Sequence, residues 1–288
     1  MKRLGWRLEV LAYDLVSALL RLVGFERASD LGAWVMRRLG PRTSKHRIVR
    51  RNLEIAFPER TDRDALAREA WANMGRTFFE FPLTHRLEAP GPRVRVEGQG
   101  YFDRLRADGE PCIIVTGHFA NWEVMACALA QSGHDVAITY RRINNPYFDA
   151  RVREQREAYG TKSLVPKSGA AGARHLLAAL KSGTSVALLN DQKFNTGLSV
   201  PFFGREAMTA PGAVRLAIQQ RVAILPISCE RDGATFTVRY HEPWYPKWSD
   251  NGVEDSVAQI VEWTENIIRA APEQWFWAHR RWPKGEYV

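Results

Sequence analysis

"CIIVTGHFANWEVMACALAQ", residues 112–131, decides how this chain folds. Its first five residues, Cys112 to Thr116, are apolar or β-branched and too few for a helix, which suits a buried strand. Gly117 eases a sharp turn, Asn121 can serve as a helix cap, and Asn121 to Gln131 runs as a helix. A strand that turns directly into a helix is half of a crossover unit. The alternation continues downstream, with strands expected at Val136 to Tyr140, Ser163 to Val165, Ser185 to Leu189 and Val222 to Ile227. Helices are expected between them at Pro146 to Tyr159, Ala170 to Leu180 and Pro211 to Gln220. Units of that kind, ~20 to 35 residues apart, build a largely parallel central sheet flanked by helices, so the fold class is α/β. "ATFTVRYH" (Ala234 to His241) reads as one further strand, with an antiparallel course open to it.

Upstream the chain has a different character. Thr61 to His85 keeps helical spacing, with Thr61 or Asp62 as cap, and the Pro/Gly-rich "EAPGPR" ends that stretch. Before it, Leu4, Leu8, Leu11, Leu15, Leu19 and Leu22 share one helical face, and Arg3, Arg7, Asp14 and Arg21 gather on another. Glu9 and Asp14 break the apolar run, so neither a signal peptide nor a confident membrane span is indicated. Such a helix either packs on the body of the protein or lies in a membrane interface. Trp6 and Tyr13 at headgroup depth, and the cations Arg37, Arg38, Arg42, Lys45, Arg47, Arg50 and Arg51, favour the membrane. Residues 1–60 are thus expected to form an amphipathic, basic, membrane-associating segment, and residues 61–288 the α/β domain.

The net charge of +9 favours anionic partners without choosing among phospholipid, phosphorylated substrate, acidic protein and nucleic acid. Nucleic acid is disfavoured, because no module interleaves basic and aromatic residues. Cys112, Cys127 and Cys229 are scattered in apolar runs, which argues against disulfides and zinc and for a reducing compartment. No G-x-S-x-G elbow, phosphate loop, dinucleotide fingerprint or metal motif is present, so neither metal nor cofactor is expected.

In an open parallel sheet the ligand site lies beyond the carboxyl ends of the strands. His118 follows the first strand, Arg141 and Arg142 the second, Lys167 the third, and Asn190, Asp191, Gln192 and Lys193 the fourth. His118 and Glu123 are five residues apart, which on one helix is ~140° and separate faces. With His118 in the turn and Glu123 in the first helical turn, the carboxylate can lean back toward the imidazole, fixing its tautomer and stabilising the imidazolium. A buried histidine beside a glutamate that favours the helix start fits the same spacing. Phe202 and Phe203, before Gly204, suit an acyl groove or simple core equally. Thr209 and Pro211 read first as a helix start, as do Asn145 and Pro146.

Together, "TGHFANWE" (116–123), "YRRINNPYFD" (140–149), "LLNDQK" (188–193), "VPFFGREAMTAPG" (200–212), "ILPI" (224–227) and "PEQWFWAHRRW" (272–282) resemble the lipid A biosynthesis lauroyl and myristoyl acyltransferases. "RRNLEIAFPE" (50–59) extends the resemblance into the amino-terminal third. It implies a glycerolipid acyltransferase-like fold and transfer of a fatty acyl chain from an acyl carrier protein thioester, or acyl-CoA, to a hydroxyl of an anionic glycolipid. It also implies peripheral or single-anchor attachment at the cytoplasmic face of the bacterial inner membrane. On the matching positions His118 is the base, Glu123 its orienting partner, Asp191 and Gln192 part of the site wall, and Arg141 a phosphate or oxyanion contact. Lysolipid acylation and lipid hydrolysis are the neighbouring alternatives.

Overall fold

A computed structural model describes residues 2–167 and 169–287. The chain begins with helices α1 (Lys2–Val23), α2 (Phe25–Leu39), α3 (His46–Ala56) and α4 (Arg63–Glu80). Then come β1 (Val94–Glu97), α5 (Gln99–Ala107), β2 (Ile113–Thr116), α6 (Trp122–Gln131), β3 (Val136–Tyr140), α7 (Pro146–Ala158), β4 (Ser163–Pro166), α8 (Gly169–Lys181) and β5 (Ser185–Leu189). A hairpin of β6 (Lys193–Phe202) and β7 (Arg205–Thr209) comes next, then α9 (Gly212–Gln220), β8 (Ile224–Asp232), β9 (Thr235–Tyr240) and α10 (Gly252–Ala270). The helix expected to reach His85 ends at Glu80, and a 3-10 segment, Phe81–Arg86, carries the chain on past Pro82.

The central sheet has the order β1-β9-β8-β2-β5-β3-β4, and only the β8–β9 pair is antiparallel. The parallel sheet expected from sequence is therefore present. Its strands are short and apolar because both faces are covered. Ile113 and Val115 of β2 join one core with Leu53 of α3, Trp71 and Met74 of α4, Leu180 of α8, Val214 of α9 and Ile260 of α10. Ile114, pointing the other way, joins a second core with Phe102 of α5 and Val124 and Leu129 of α6.

The division expected at residue 60 falls inside the first core. Buried Asn52 of α3 also donates to the carbonyls of Trp277 and His279 and accepts from the Tyr287 hydroxyl, so α3 is part of the body. The helices α2 and α4 cross so closely that a Cβ on Gly32 would sit 2.3 Å from the Gly75 carbonyl oxygen. Glycine at both positions permits that approach.

Helix α1 lies with its polar edge toward the protein. Arg151 of α7 pairs with Asp14, Asn145 donates to the Trp6 carbonyl and to Glu9, and Arg21 donates to the Pro82 carbonyl. The leucine face points outward: Leu4, Leu11 and Leu15 are each more than 60% exposed, and Leu22 is 83% exposed. Tyr13, expected at headgroup depth, instead meets Phe148 edge-on at 4.9 Å, because Phe148 offers it an apolar partner on α7. No helix among the described residues is long and apolar enough to cross a membrane.

Candidate active site

Strand order builds the site. Because β5 lies directly against β2, with Thr116 opposite Leu189, the residues two beyond each strand end face one another. Those residues are His118 and Asp191. One Asp191 carboxylate oxygen, Oδ1, lies 2.8 Å from the His118 Nδ1; the other, Oδ2, accepts from the His118 backbone N–H at 2.8 Å and the Trp275 indole N–H at 2.7 Å. Asp191 is sealed from water, whereas the His118 side chain keeps 16% of its surface exposed. With Nδ1 committed to the carboxylate, Nε2 is the ring atom left to meet a ligand. The Gln192 side-chain amide lies 3.4 Å from Nε2, and the rings of Trp122 and Phe276 flank the imidazole at 5.1 and 5.9 Å.

Burial alone would raise the Asp191 carboxyl. The imidazole, the two His118 hydrogen bonds and the Trp275 bond outweigh it, holding the group well below the usual carboxylate range. It is therefore an anion whenever the protein is folded near neutrality.

Glu123 occupies a different place from the one expected. As anticipated, Asn121 caps α6, its side chain accepting from the Glu123 N–H. The Glu123 carboxylate, however, takes Arg156 of α7 bidentately, at 2.6 and 3.0 Å, and the Tyr159 hydroxyl at 2.9 Å. Burial opposes the charge, but Arg156 and Tyr159 bring its pKa below the ordinary value. The orienting carboxylate of His118 is therefore Asp191, and Glu123 clamps α6 to α7. The physical reason is direction: at the second position of α6 the side chain leans onto α7, where the half-buried Arg156 guanidinium receives it.

Of the other cations at strand ends, Lys167 reaches the end of β5. The Lys167 N–H donates to the Tyr140 carbonyl and its ammonium to the Leu189 carbonyl at 3.3 Å, one residue short of the Asn190–Asp191 turn. Arg141 follows Tyr140 on the same edge and is exposed. Thr209 does not start a helix. It ends β7, its hydroxyl bonding the Ala207 carbonyl and accepting from buried Arg281 at 2.6 Å. Phe202 is core, packed on Phe203, Trp275 and Trp282 with Arg281 over its ring, so it backs the site through Trp275 and lines no groove. Phe203, half-buried, packs against Phe57.

A small cavity of about 40 Å³ lies behind Trp122, lined by Met125, Leu129, Ile138 and Leu188 together with the paired Glu123 and Arg156. Trp122 both touches the His118 ring and lines this cavity. Sequence reasoning did not place Trp275 and His279 at the site, because both come from the carboxy-terminal segment. Half-buried His279 accepts from the Lys193 N–H, and burial pushes its pKa down to about 4, so it is a neutral acceptor. Burial likewise pushes all three cysteine thiols up to about 12, which removes them as nucleophiles near neutrality.

A partly exposed histidine held at Nδ1 by a buried carboxylate, with Nε2 left for a ligand, can take a proton from a hydroxyl. The sequence profile described as bacterial lipid A biosynthesis acyltransferase matches residues 7–284. The chain is 27% identical over 260 residues to the lipid A biosynthesis palmitoleoyltransferase of Escherichia coli K12, covering 83% of this chain and 80% of that one. It is 26% identical over 251 residues to the lipid A biosynthesis lauroyltransferase of the same organism, covering 82% and 78%. A phosphatidylinositol mannoside acyltransferase of Mycobacterium tuberculosis CDC 1551 is 24% identical over 220 residues, covering 74% and 68%.

Proposed function

The chain belongs to the bacterial lipid A biosynthesis acyltransferase family and is an acyltransferase, and from that premise we propose how and on what it acts. The proposed reaction moves a fatty acyl group from an acyl carrier protein thioester to a hydroxyl of a lipid A precursor, with His118 as general base. The observation that carries this is the Asp191–His118 pair, buried at the carboxylate and partly exposed at the imidazole, whose Nε2 faces Gln192.

In the proposed step the Nε2 lone pair takes the acceptor hydroxyl proton as the alkoxide attacks the thioester carbonyl. A C–O bond forms and the carbonyl π electrons move to oxygen. In this reading Gln192, near Nε2, and the strand-end cations Lys167 and Arg141 meet that charge. The tetrahedral species then expels the thiolate, which takes the proton from the imidazolium. Asp191 stabilises the imidazolium throughout and keeps its own charge. No metal or covalent acyl-enzyme enters this sequence.

The surface supports anionic partners. A groove of about 800 Å³ around the start of α3 is lined by Lys45, Arg47, Arg50, Arg51 and Arg280, with Glu54 and Glu286 paired to Arg51. Arg280 lies five positions beyond Trp275, which donates to Asp191, so the two are at most ~18 Å apart. That span suits an acidic carrier docking in the groove and extending its acyl arm to His118. The outward leucine face of α1 supports attachment to a lipid surface, in this reading the cytoplasmic face of the inner membrane.

The test presents purified protein in mixed micelles with acyl carrier protein and coenzyme A thioesters, a hydroxylated lipid A precursor, a lysophospholipid and a phosphatidylinositol mannoside. Mass spectrometry reads the products. One added acyl group on the lipid A precursor, with the carrier protein as preferred donor, is expected. Free fatty acid as the sole product, or acylation confined to the other acceptors, overturns the proposal.

A further inference from the structure

The turn that carries His118 needs holding. Ala120 adopts a φ of 43°, in the left-handed region that alanine rarely enters, and such residues persist only where the surroundings over-determine them. The determinants lie outside the sheet edge. The Ala120 carbonyl accepts from the Thr77 hydroxyl of α4 at 2.8 Å, and its N–H donates to the Gln274 carbonyl at 2.7 Å. Next along the chain, the Asn121 side-chain amide donates to Glu80 at 2.8 Å.

Glu80, at the carboxyl end of α4, is fully buried and ion-paired with Arg231 through both carboxylate oxygens. It also accepts from the Ser29 hydroxyl of α2 at 2.6 Å. Arg231 reaches this place because β8 outruns β2: Val115 pairs with Pro226, and β8 continues to Asp232, over the turn. The guanidinium also donates to the Asn73 side-chain amide oxygen at 2.9 Å, and the Arg231 backbone exchanges two hydrogen bonds with the Gln274 side chain. Each group that touches Ala120 or Asn121 from α4 or from residue 274 is thus tied to one buried ion pair.

Such a pair contributes little net stability, since well-packed apolar residues of similar volume commonly do as well. What it supplies is direction. The structure assigns to Glu80 and Arg231 the role of positioning residues for the acyl transfer: they fix the Gly117–Asn121 turn so that the His118 ring meets Asp191. Neither touches substrate. The assignment rests on His118 acting as the base. It extends the site from the sheet edge to α4 and, through Ser29, to α2.

The test compares Glu80→Gln, Thr77→Val and His118→Ala in the full chain, in mixed micelles, with acyl carrier protein thioester and lipid A precursor. Glu80→Gln keeps shape and hydrogen-bonding capacity but loses the charge that holds Arg231; Thr77→Val removes one bond to Ala120 at constant volume. Displacing a reacting group by about 1 Å costs on the order of 10²-fold in rate. Glu80→Gln is expected to lower kcat by that factor with KM for both substrates within about twofold. Thr77→Val is expected to lower kcat by roughly tenfold, and Glu80→Asp to recover part of the loss. Imidazole ¹⁵N spectra should show the His118 Nδ1 proton of the wild type broadened or shifted in both variants. If Glu80→Gln does not fold, Thr77→Val decides alone. A folded variant with wild-type kcat and an unchanged imidazole spectrum, alongside an inactive His118→Ala protein, overturns the positioning role and leaves the base intact. An active His118→Ala protein overturns the base reading itself.

Discussion

Replacing Asp191 by asparagine changes one atom and sets two requirements of the site against each other. The Oδ2 atom of Asp191 accepts two N–H groups, from the His118 backbone and Trp275, while Oδ1 faces the His118 Nδ1. An asparagine can keep its oxygen at the first position, but its amide nitrogen then points at Nδ1. Nδ1 must accept, the ring proton moves to Nε2, and the atom that should take a proton already carries one. Turning the amide round would restore Nδ1–H but leave two buried donors facing an NH₂ group, at about 1 to 3 kcal/mol each. The wrong tautomer is therefore favoured by about 2 to 6 kcal/mol, and the imidazolium also loses its counter-charge, so kcat should fall by ~10³ to 10⁴. Thiol release from the acyl thioester, followed with a chromogenic disulfide at saturating acceptor, measures kcat; imidazole ¹⁵N spectra measure the tautomer. An Asp191→Asn protein with kcat within about threefold of wild type would refute the reasoning.

Glu123→Ala should act differently, leaving half-buried Arg156 without its partner and lowering stability by at most about 3 to 5 kcal/mol. Urea unfolding checks this, and the double change with Arg156→Met should recover much of the loss; a fully stable Glu123→Ala protein contradicts the clamp. The depressed pKa values of Asp191 and Glu123 set an acid limit. Both contribute stability fully above the unfolded carboxylate value near ~4, and that contribution is lost as pH falls through the folded values. Denaturant melts of wild type and Asp191→Asn should thus converge as the pH is lowered below about 4, and a gap that widens on acidification would show the sign to be wrong. Changing Leu8 and Leu15 to glutamate should weaken binding to anionic vesicles by ~10²-fold or more while leaving the thermal midpoint nearly unchanged. Unaltered sedimentation with vesicles would remove α1 from the membrane contact.

The strands β2 to β5, the β8 and β9 positions, and the asparagine caps at 121 and 145 were legible because each is written in a few adjacent residues. Asp191 could be placed on the functional edge, since it follows a strand, yet pairing it with His118 needs the strand order. The chain visits β3 and β4 before returning to insert β5 beside β2. Nothing local in "LLNDQK" records that return. Glu123 was the nearer carboxylate in sequence, and Arg156, which claims it, lies a helix away. The amphipathic pattern of α1 showed two faces but not which one turns outward, because that depends on Asn145 and Arg151 receiving its polar edge. Phe202 and Phe203 were ambiguous for a similar reason: the tryptophans and Arg281 that enclose Phe202 arrive from residues 275–282. Strand β1 is not legible either, since "VRVE" is too short to stand out before it pairs with β9.

The most direct measurement is ester formation on a lipid A precursor by His118→Ala and His118→Gln proteins whose folding matches wild type by circular dichroism. The imidazole-as-base account predicts a loss of at least ~10²- to 10⁴-fold in kcat for both, with acceptor binding retained. Acylated product appearing at the wild-type rate in either protein would contradict it.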